Sequence, residues 1–538
     1  MILKNKTPMA ILLFVIIICL LPFINKAFHI DDILFIRAAQ QIKSHPMDFY
    51  GFYINWHVTE VPAYEAIKNP PLNSFYIALA ICLFNLREVT LHLVFLVPII
   101  SLAVGTYYLA QRFCSQPVVA TLAGILTPAC LVSSTTVMCD VFMLSFWVWA
   151  LVLWLRGIEE NKRVFLMFSV VCICASSLMK YYGISLIPIL FIYTVMVKRR
   201  IGNEALFLAI PILALTLYSV GTNKLYGYNL LSQAFAFSVS SKSEYDIIRY
   251  AKQILTSLIF IGGCITTALF YIPLLWSRRA IISGAVIGIL LIPVLSGIFA
   301  VELTIAVQMA IFLIAGMSVI ILAGIDVVRN RDALSFLLLL WIVGTALFAA
   351  FINWTVSGRT ILPMAPAVGI SLIRHIDFKM KQVRLKRSHI LFPIALSLII
   401  ALIVTRADYT LAGTAREAAV TISNKYGKSN HNLWFQGHWG FQYYMEQFGA
   451  KALDSKKSNI APNDIVVSPL NNTWVLPMRR EITKLVETIQ FFPCKFVTTM
   501  NVNRKAGFYS DVWGPLPFTF GPVPPEKYYI FRIKEIPL

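Results

Sequence analysis

Asn69-Pro70-Pro71-Leu72-Asn73-Ser74-Phe75-Tyr76-Ile77-Ala78-Leu79-Ala80-Ile81-Cys82-Leu83-Phe84 is the stretch on which the topology turns. Its apolar part, Leu72 to Phe84, runs for only about 13 residues, and a membrane-spanning helix needs roughly 20. The Pro pair is compatible only with the start of a helix. The stretch is therefore expected to form a juxtamembrane helix that lies on or dips into the outer face. If it crossed, every later loop would change sides and the basic loops would fall outside, against the positive-inside rule.

The surrounding chain is built for a membrane. Of 538 residues, 58% are hydrophobic and 13% charged, with a mean hydropathy of +0.73. No soluble domain hides that much apolar surface. The net charge of +20 does not indicate nucleic acid as a partner, because Lys and Arg cluster in short loops between apolar runs, as topology signals do. The cysteines lie almost all in apolar runs, without Cys-x-x-Cys or His spacing for a metal, and read as small hydrophobes.

Pro8–Phe23 follows Lys4 and Lys6 and has no small-x-small cleavage site after it, so it reads as an uncleaved first helix with its N-terminus inside. Residues 26–71 form a long polar outer loop. Twelve further runs then alternate: Val89–Ala110, Val118–Met138, Val141–Leu155, Val164–Met179, Gly183–Val197, Ala205–Val220, Ile254–Trp276, Ala280–Ala300, Leu303–Ile325, Ala333–Phe351, Thr360–Ile373 and Ile390–Thr405. The expected fold is an all-α polytopic membrane protein of about 13 spans, N-terminus in and C-terminus out. Residues 1–405 form its transmembrane part, with the outer loop and juxtamembrane helix in 26–88. Residues 406–538 are expected to fold as a small α/β domain outside the membrane. There Asn432–Gln436 and Asp464–Ser468 read as strands, Gly437–Gly440 as a turn and Phe441–Phe448 as a helix.

Charged residues gather where spans end on the outer side. Asp31 and Asp32 follow the first helix, Asp140 sits between the third and fourth spans, and Lys180 and Arg359 sit at later outer turns. Each alone suits an interface, where Lys and Arg snorkel and Asp caps helices. Together they make an anion-binding site beside carboxylates at lipid height. A lipid-linked phosphate donor needs such a site: Arg and Lys hold phosphate, and a carboxylate takes a proton from the attacking acceptor. The adjacent Asp31 and Asp32 diverge by about 100° on a helix, so one is expected to act and the other to cap or contact neighbours. Lys68, Asn69, His57 and Tyr181 are further candidates for contacts to acceptor or donor.

The order of these features resembles the GT-C superfamily of polyprenyl-phosphate-dependent glycosyltransferases, among them protein O-mannosyltransferases and lipid A aminoarabinose transferases. The family's Asp-Glu pair reads Asp31-Asp32 here, which puts Asp31 at the place of the catalytic base. Its His-Pro-Pro-Leu reads Asn69-Pro70-Pro71-Leu72, and its Thr-Asp reads Cys139-Asp140. Its Thr-Lys-Gly reads Met179-Lys180-Tyr181-Tyr182-Gly183, and its Arg-Tyr-x-Leu-Pro reads Arg359-Thr360-Ile361-Leu362-Pro363. The chain departs from the pattern at Asp32, at Asn69 and at Thr135, where an Arg is often found. The resemblance implies a multi-pass enzyme of the bacterial inner membrane, with its active site facing the periplasm. It would move a sugar from a polyprenyl phosphate to a lipid, glycan or protein acceptor. Asp31, Asp32 and Asp140 are the implied catalytic acids, and Lys180 and Arg359 the implied phosphate ligands. No cofactor is certain; the acids leave room for a divalent metal, but the ligand set is too thin to assign one. Competing readings are an O-antigen ligase or polymerase and, from another class, a transporter or lipid flippase, which would place ionisable residues near the bilayer midplane.

Overall fold

The computed structural model describes residues 7–242, 246–383, 385–428 and 431–534. Ten of its helices are long and apolar enough to cross a membrane: Glu88–Ala110, Asp140–Glu160, Tyr181–Lys198, Glu204–Tyr226, Ile247–Cys264, Arg278–Phe299, Leu303–Asn330, Ala333–Ile352, Gly358–Met380 and Arg387–Tyr426. The expected spans Pro8–Phe23 and Val164–Met179 appear as the shorter apolar helices Thr7–Phe23 and Arg163–Met179. The stretch Leu72–Phe84 is one 13-residue helix, about 20 Å long at the helical rise.

Four features differ from the expectation. The run Val118–Met138 is two helices, Pro117–Ile125 and Pro128–Ser134, bent by 69° at the break. Pro128 lacks the N–H that would continue the first helix and starts the second. The run Ile254–Trp276 likewise breaks at Ile265 between Ile247–Cys264 and Thr266–Leu275. The polar loops are also more ordered than their composition suggests: residues 26–71 contain the helix Asp32–Ser44 and a hairpin, Tyr53–Trp56 with Thr59–Pro62. The last span does not stop at Thr405. It continues as a single 40-residue helix, Arg387–Tyr426: Ala407–Ala419 holds no Pro, and its one glycine, Gly413, stays inside the helix without ending it.

The C-terminal part is a mixed sheet with one helix. Leu433–Phe435 pairs in parallel with Lys451–Ala452 and Ile465–Pro469, and Glu526–Ile533 runs antiparallel between Ile465–Pro469 and Thr483–Phe491. Both expected strands are present, and the helix spans Trp439–Gln447. Most buried hydrophobic residues of this domain and of the helical bundle merge into one core, while Trp434, Val466 and Ile533 form a small second cluster.

Candidate active site

The site begins with the strap Lys26–Asp31, which leaves the first helix and enters the helix Asp32–Ser44. Ile30 has φ +46°, a left-handed conformation that costs a β-branched residue about 1–3 kcal/mol. The neighbours hold it there. The Phe28 N–H donates to the Tyr444 hydroxyl at 2.8 Å, and Tyr444 in turn donates to Glu88, which also pairs with Arg416. Gly440 lies so close that a Cβ on it would stand 2.0 Å from the Phe28 carbonyl oxygen. Arg37 pairs with Glu446 from the same C-terminal helix. Beneath the strap, Lys26 Nζ is 2.5 Å from Asp408, with both side chains fully buried. Asp408 also accepts from Thr499 at 2.7 Å and Tyr509 at 2.9 Å, and Lys26 donates to Thr135 at 3.1 Å.

The two adjacent acids have different partners. Asp32 is fully buried. One of its oxygens accepts the His29 N–H at 2.9 Å and the other the Val137 N–H at 3.0 Å. Burial pushes its carboxyl up to about 7 against the pull of these donors. It ties the strap to the segment that precedes Asp140. Asp31 occupies the N-cap position of the helix but makes no side-chain cap. Its carboxylate instead accepts from Arg359 Nη1 at 2.7 Å, with 29% of the side chain exposed.

Arg359 connects the site. Its Nε donates to Asp140 at 2.9 Å, and Lys180 Nζ donates to the other Asp140 oxygen at 2.6 Å. Asp31, Arg359, Asp140 and Lys180, spread over more than 300 positions of sequence, thus form one continuous ionic chain. Asp140 opens the helix Asp140–Glu160, where the helix dipole favours a carboxylate. Lys180 is the extended residue that ends Arg163–Met179. The chain can turn back after it because Gly183 has no Cβ, which would meet the Ser176 backbone at 2.4 Å. Arg359 sits in the first turn of a helix with a Ser357–Thr360 capping box. The loop before it is held by the C-terminal domain: Asp511 accepts from the Val356 N–H at 3.0 Å and from Thr355, and the Gly358 N–H donates to the Phe508 carbonyl at 2.6 Å.

Donor capacity remains after these bonds. Asp140 uses both oxygens and its side chain is 2% exposed. Arg359 keeps Nη2 and Lys180 keeps two of its three N–H groups. Asp31 keeps one oxygen. Cationic donors thus stand beside a carboxylate that has a free lone pair. The acids do not fit a divalent metal, since a guanidinium bridges Asp31 and Asp140, and no group of three His, Cys, Asp or Glu gathers among the described residues.

None of the remaining candidates bonds through its side chain to a member of this ionic chain among the described residues. His57 is at the hairpin tip, edge-on to Trp474 of the C-terminal domain. Lys68 lies over the Phe237 ring. Asn69 contributes its backbone carbonyl to the Tyr50 hydroxyl at 2.7 Å. Tyr181, next to Lys180, faces Tyr218 across 3.4 Å. A polar cleft of about 870 Å³ opens between the helix Asp32–Ser44, the hairpin and the C-terminal domain, away from the ionic chain. Sequence reasoning missed Lys26, Asp408, Tyr509, Tyr444 and Asp511. Asp408 carried a usable signal, being an acid directly behind an apolar run; nothing in the sequence pointed to the other four.

Residues 68–221 match the family model described as dolichyl-phosphate-mannose-protein mannosyltransferase, which bears out the resemblance to GT-C glycosyltransferases. No curated protein sequence matches. Among solved structures, the apo oligosaccharyltransferase of Archaeoglobus fulgidus is 13% identical, with a TM-score of 0.49, covering 86% of this chain and 66% of that one. The chain therefore spans just under two thirds of that protein's length. ArnT from Cupriavidus metallidurans, bound to undecaprenyl phosphate, is 13% identical, with a TM-score of 0.46, covering 86% of this chain and 93% of that one.

Proposed function

We propose that the protein is a membrane glycosyltransferase that takes its sugar from a polyprenyl-phosphate donor at the outer, periplasmic face of a bacterial inner membrane. The observation that carries this reading is the asymmetry among the three acids. Asp31 alone is partly exposed and keeps a free oxygen, beside the spare N–H groups of Arg359 and Lys180. The matched family model supports the donor class. The basic helix ends at Arg112, Arg163, Arg200, Arg279 and Arg331 support the sidedness.

The donor phosphodiester carries one negative charge and binds Arg359 Nη2 and Lys180. By engaging Arg359 it weakens that residue's hold on Asp31, which becomes available as a base. An acceptor hydroxyl or amine attacks the anomeric carbon from the face opposite the phosphate. The new bond forms as the bond from carbon to phosphate oxygen breaks, and Asp31 takes the acceptor's proton. The departing polyprenyl phosphate gains a second negative charge. Arg359 and Lys180 stabilise that developing charge more than they stabilise the bound donor, as catalysis requires. Asp140 touches neither reactant in this scheme; it is a positioning residue that sets the spacing of the two cations.

The test is to purify Asp31→Asn from its native membrane and identify the retained lipid by mass spectrometry. A polyprenyl-phosphate sugar is the expected finding, and a preparation free of any polyprenyl-phosphate species would refute the donor class. Residues 222–253, between the apolar runs Ala205–Val220 and Ile254–Trp276, form the second loop expected on the outer side, so single cysteines there, labelled from outside intact cells, test the sidedness. Labelling only after permeabilisation would reverse it.

A further inference from the structure

A second polar site lies at the opposite end of the bundle. The helix Asp140–Glu160 runs from the ionic chain to a pocket of about 640 Å³ lined by Gly157, Asn161, Arg163, Arg200, Asn203 and Glu204, with Phe207 and Ile210 on its apolar side. The helix Arg163–Met179 runs back from that pocket to Lys180. At about 1.5 Å per residue these helices are ~31 and ~25 Å long, close to the ~30 Å of a hydrocarbon core. The pocket therefore stands at one membrane surface when the ionic chain stands at the other.

Its charges are unspent. Arg163 and Arg200 are exposed and make no ion pair among the described residues. Glu204 Oε2 is buried, with no hydrogen-bond partner among them. A Cβ on Gly202 would stand 2.2 Å from Glu204 Oε2 and 3.7 Å from Arg200 Cζ, so the two charges flank one point without pairing. Apolar surface leads away from the pocket. Leu206 and Ile210 are exposed, and Val164, Phe168 and Val171 form an exposed helical stripe. A simple anion site would have no use for the half-buried Glu204 carboxylate, and a metal site would have no use for the arginines. A ligand with a phosphate, an amine and acyl chains satisfies all three features.

We infer that this pocket seats the headgroup of a zwitterionic amino-phospholipid, with phosphate between Arg163 and Arg200, the ammonium against Glu204, and acyl chains along Val164, Phe168 and Leu206. This site is separate from the glycosyl-transfer reading and does not depend on it. The full-length protein is tested by native mass spectrometry from detergent, with phosphatidylethanolamine or phosphatidylglycerol of matched chains added. Wild type should retain the ethanolamine lipid about tenfold over the glycerol lipid, as one charge-assisted contact allows. Glu204→Gln should bring that ratio to about twofold or less, at an unchanged melting temperature. Arg163→Ala with Arg200→Ala should weaken both lipids together, and Arg163→Lys with Arg200→Lys should restore part of the binding. Equal retention of the two lipids by wild type, or an unaltered ratio in Glu204→Gln, overturns the inference. Soluble glycerophosphoethanolamine should not displace the lipid at equal concentration; displacement would remove the acyl chains from the site.

Discussion

Replacing Asp31 and Asp32 separately by Asn should damage two different properties. At Asp31 the amide keeps an oxygen for Arg359 Nη1, which now stands at 2.7 Å, so the local geometry survives. The lost ion pair is part-exposed, and such pairs contribute about 0–1 kcal/mol, so the melting temperature should hardly move. The variant can no longer accept a proton. Loss of a general base lowers turnover by roughly two to four orders of magnitude, or about 2.7–5.4 kcal/mol in the barrier at ~1.36 kcal/mol per decade. At Asp32 the balance is the reverse. Both oxygens accept backbone N–H groups, and an amide must turn its own N–H groups toward one of them. That leaves a buried donor unsatisfied, at a cost of about 1–3 kcal/mol in stability. The properly folded fraction should still turn over, with a loss well below that of Asp31→Asn. The assay is single-turnover release of polyprenyl phosphate by purified protein, read beside a thermal melt on the same preparation. A fully stable but inactive Asp32→Asn, together with an active Asp31→Asn, would refute both role assignments. Activity retained in both would leave this cluster without a catalytic function.

Three further outcomes follow from the same geometry. Lys180→Ala and Arg359→Ala should each weaken donor affinity more than acceptor affinity, and Arg359→Lys should rescue only in part because it cannot contact Asp31 and Asp140 at once; donor titrations check this, and full rescue by Lys would remove the bridging role. Lys26→Met should cost about 3–5 kcal/mol by leaving Asp408 buried and unpaired, while Lys26→Met with Asp408→Leu should recover much of it; an undisturbed melt of the single variant would contradict the buried pair. Glu526 in the C-terminal sheet is pushed up to about 7 by burial, so its folded form holds its proton longer than the unfolded chain does. The stability this gives is full below about 4.5 and fades as pH rises through about 7, so Glu526→Gln should raise the melting temperature at pH 8 but not at pH 4; an equal change at both would exclude the titration.

Most of the bundle was legible in the chain because hydropathy acts locally: a helix in lipid must satisfy its own backbone and present apolar side chains, whatever its neighbours are. The convergence of Asp31, Asp140, Lys180 and Arg359 on one side was legible for the same reason, since counting spans places their turns together. Other features depended on contacts between distant residues. Adjacent carboxylates with the same propensity look alike in sequence. Asp32 turned inward because Val137, 105 positions away, presents an N–H to it, and Asp31 turned outward because Arg359 lies across the gap. The expected boundary at 405/406 falls inside a continuous helix because Asp408, polar in sequence, is neutralised by Lys26 and enclosed by Thr499 and Tyr509. Hydropathy is a property of single residues and their near neighbours and can be read along a chain. Charge pairing depends on which residues meet, and only the tertiary structure brings them together.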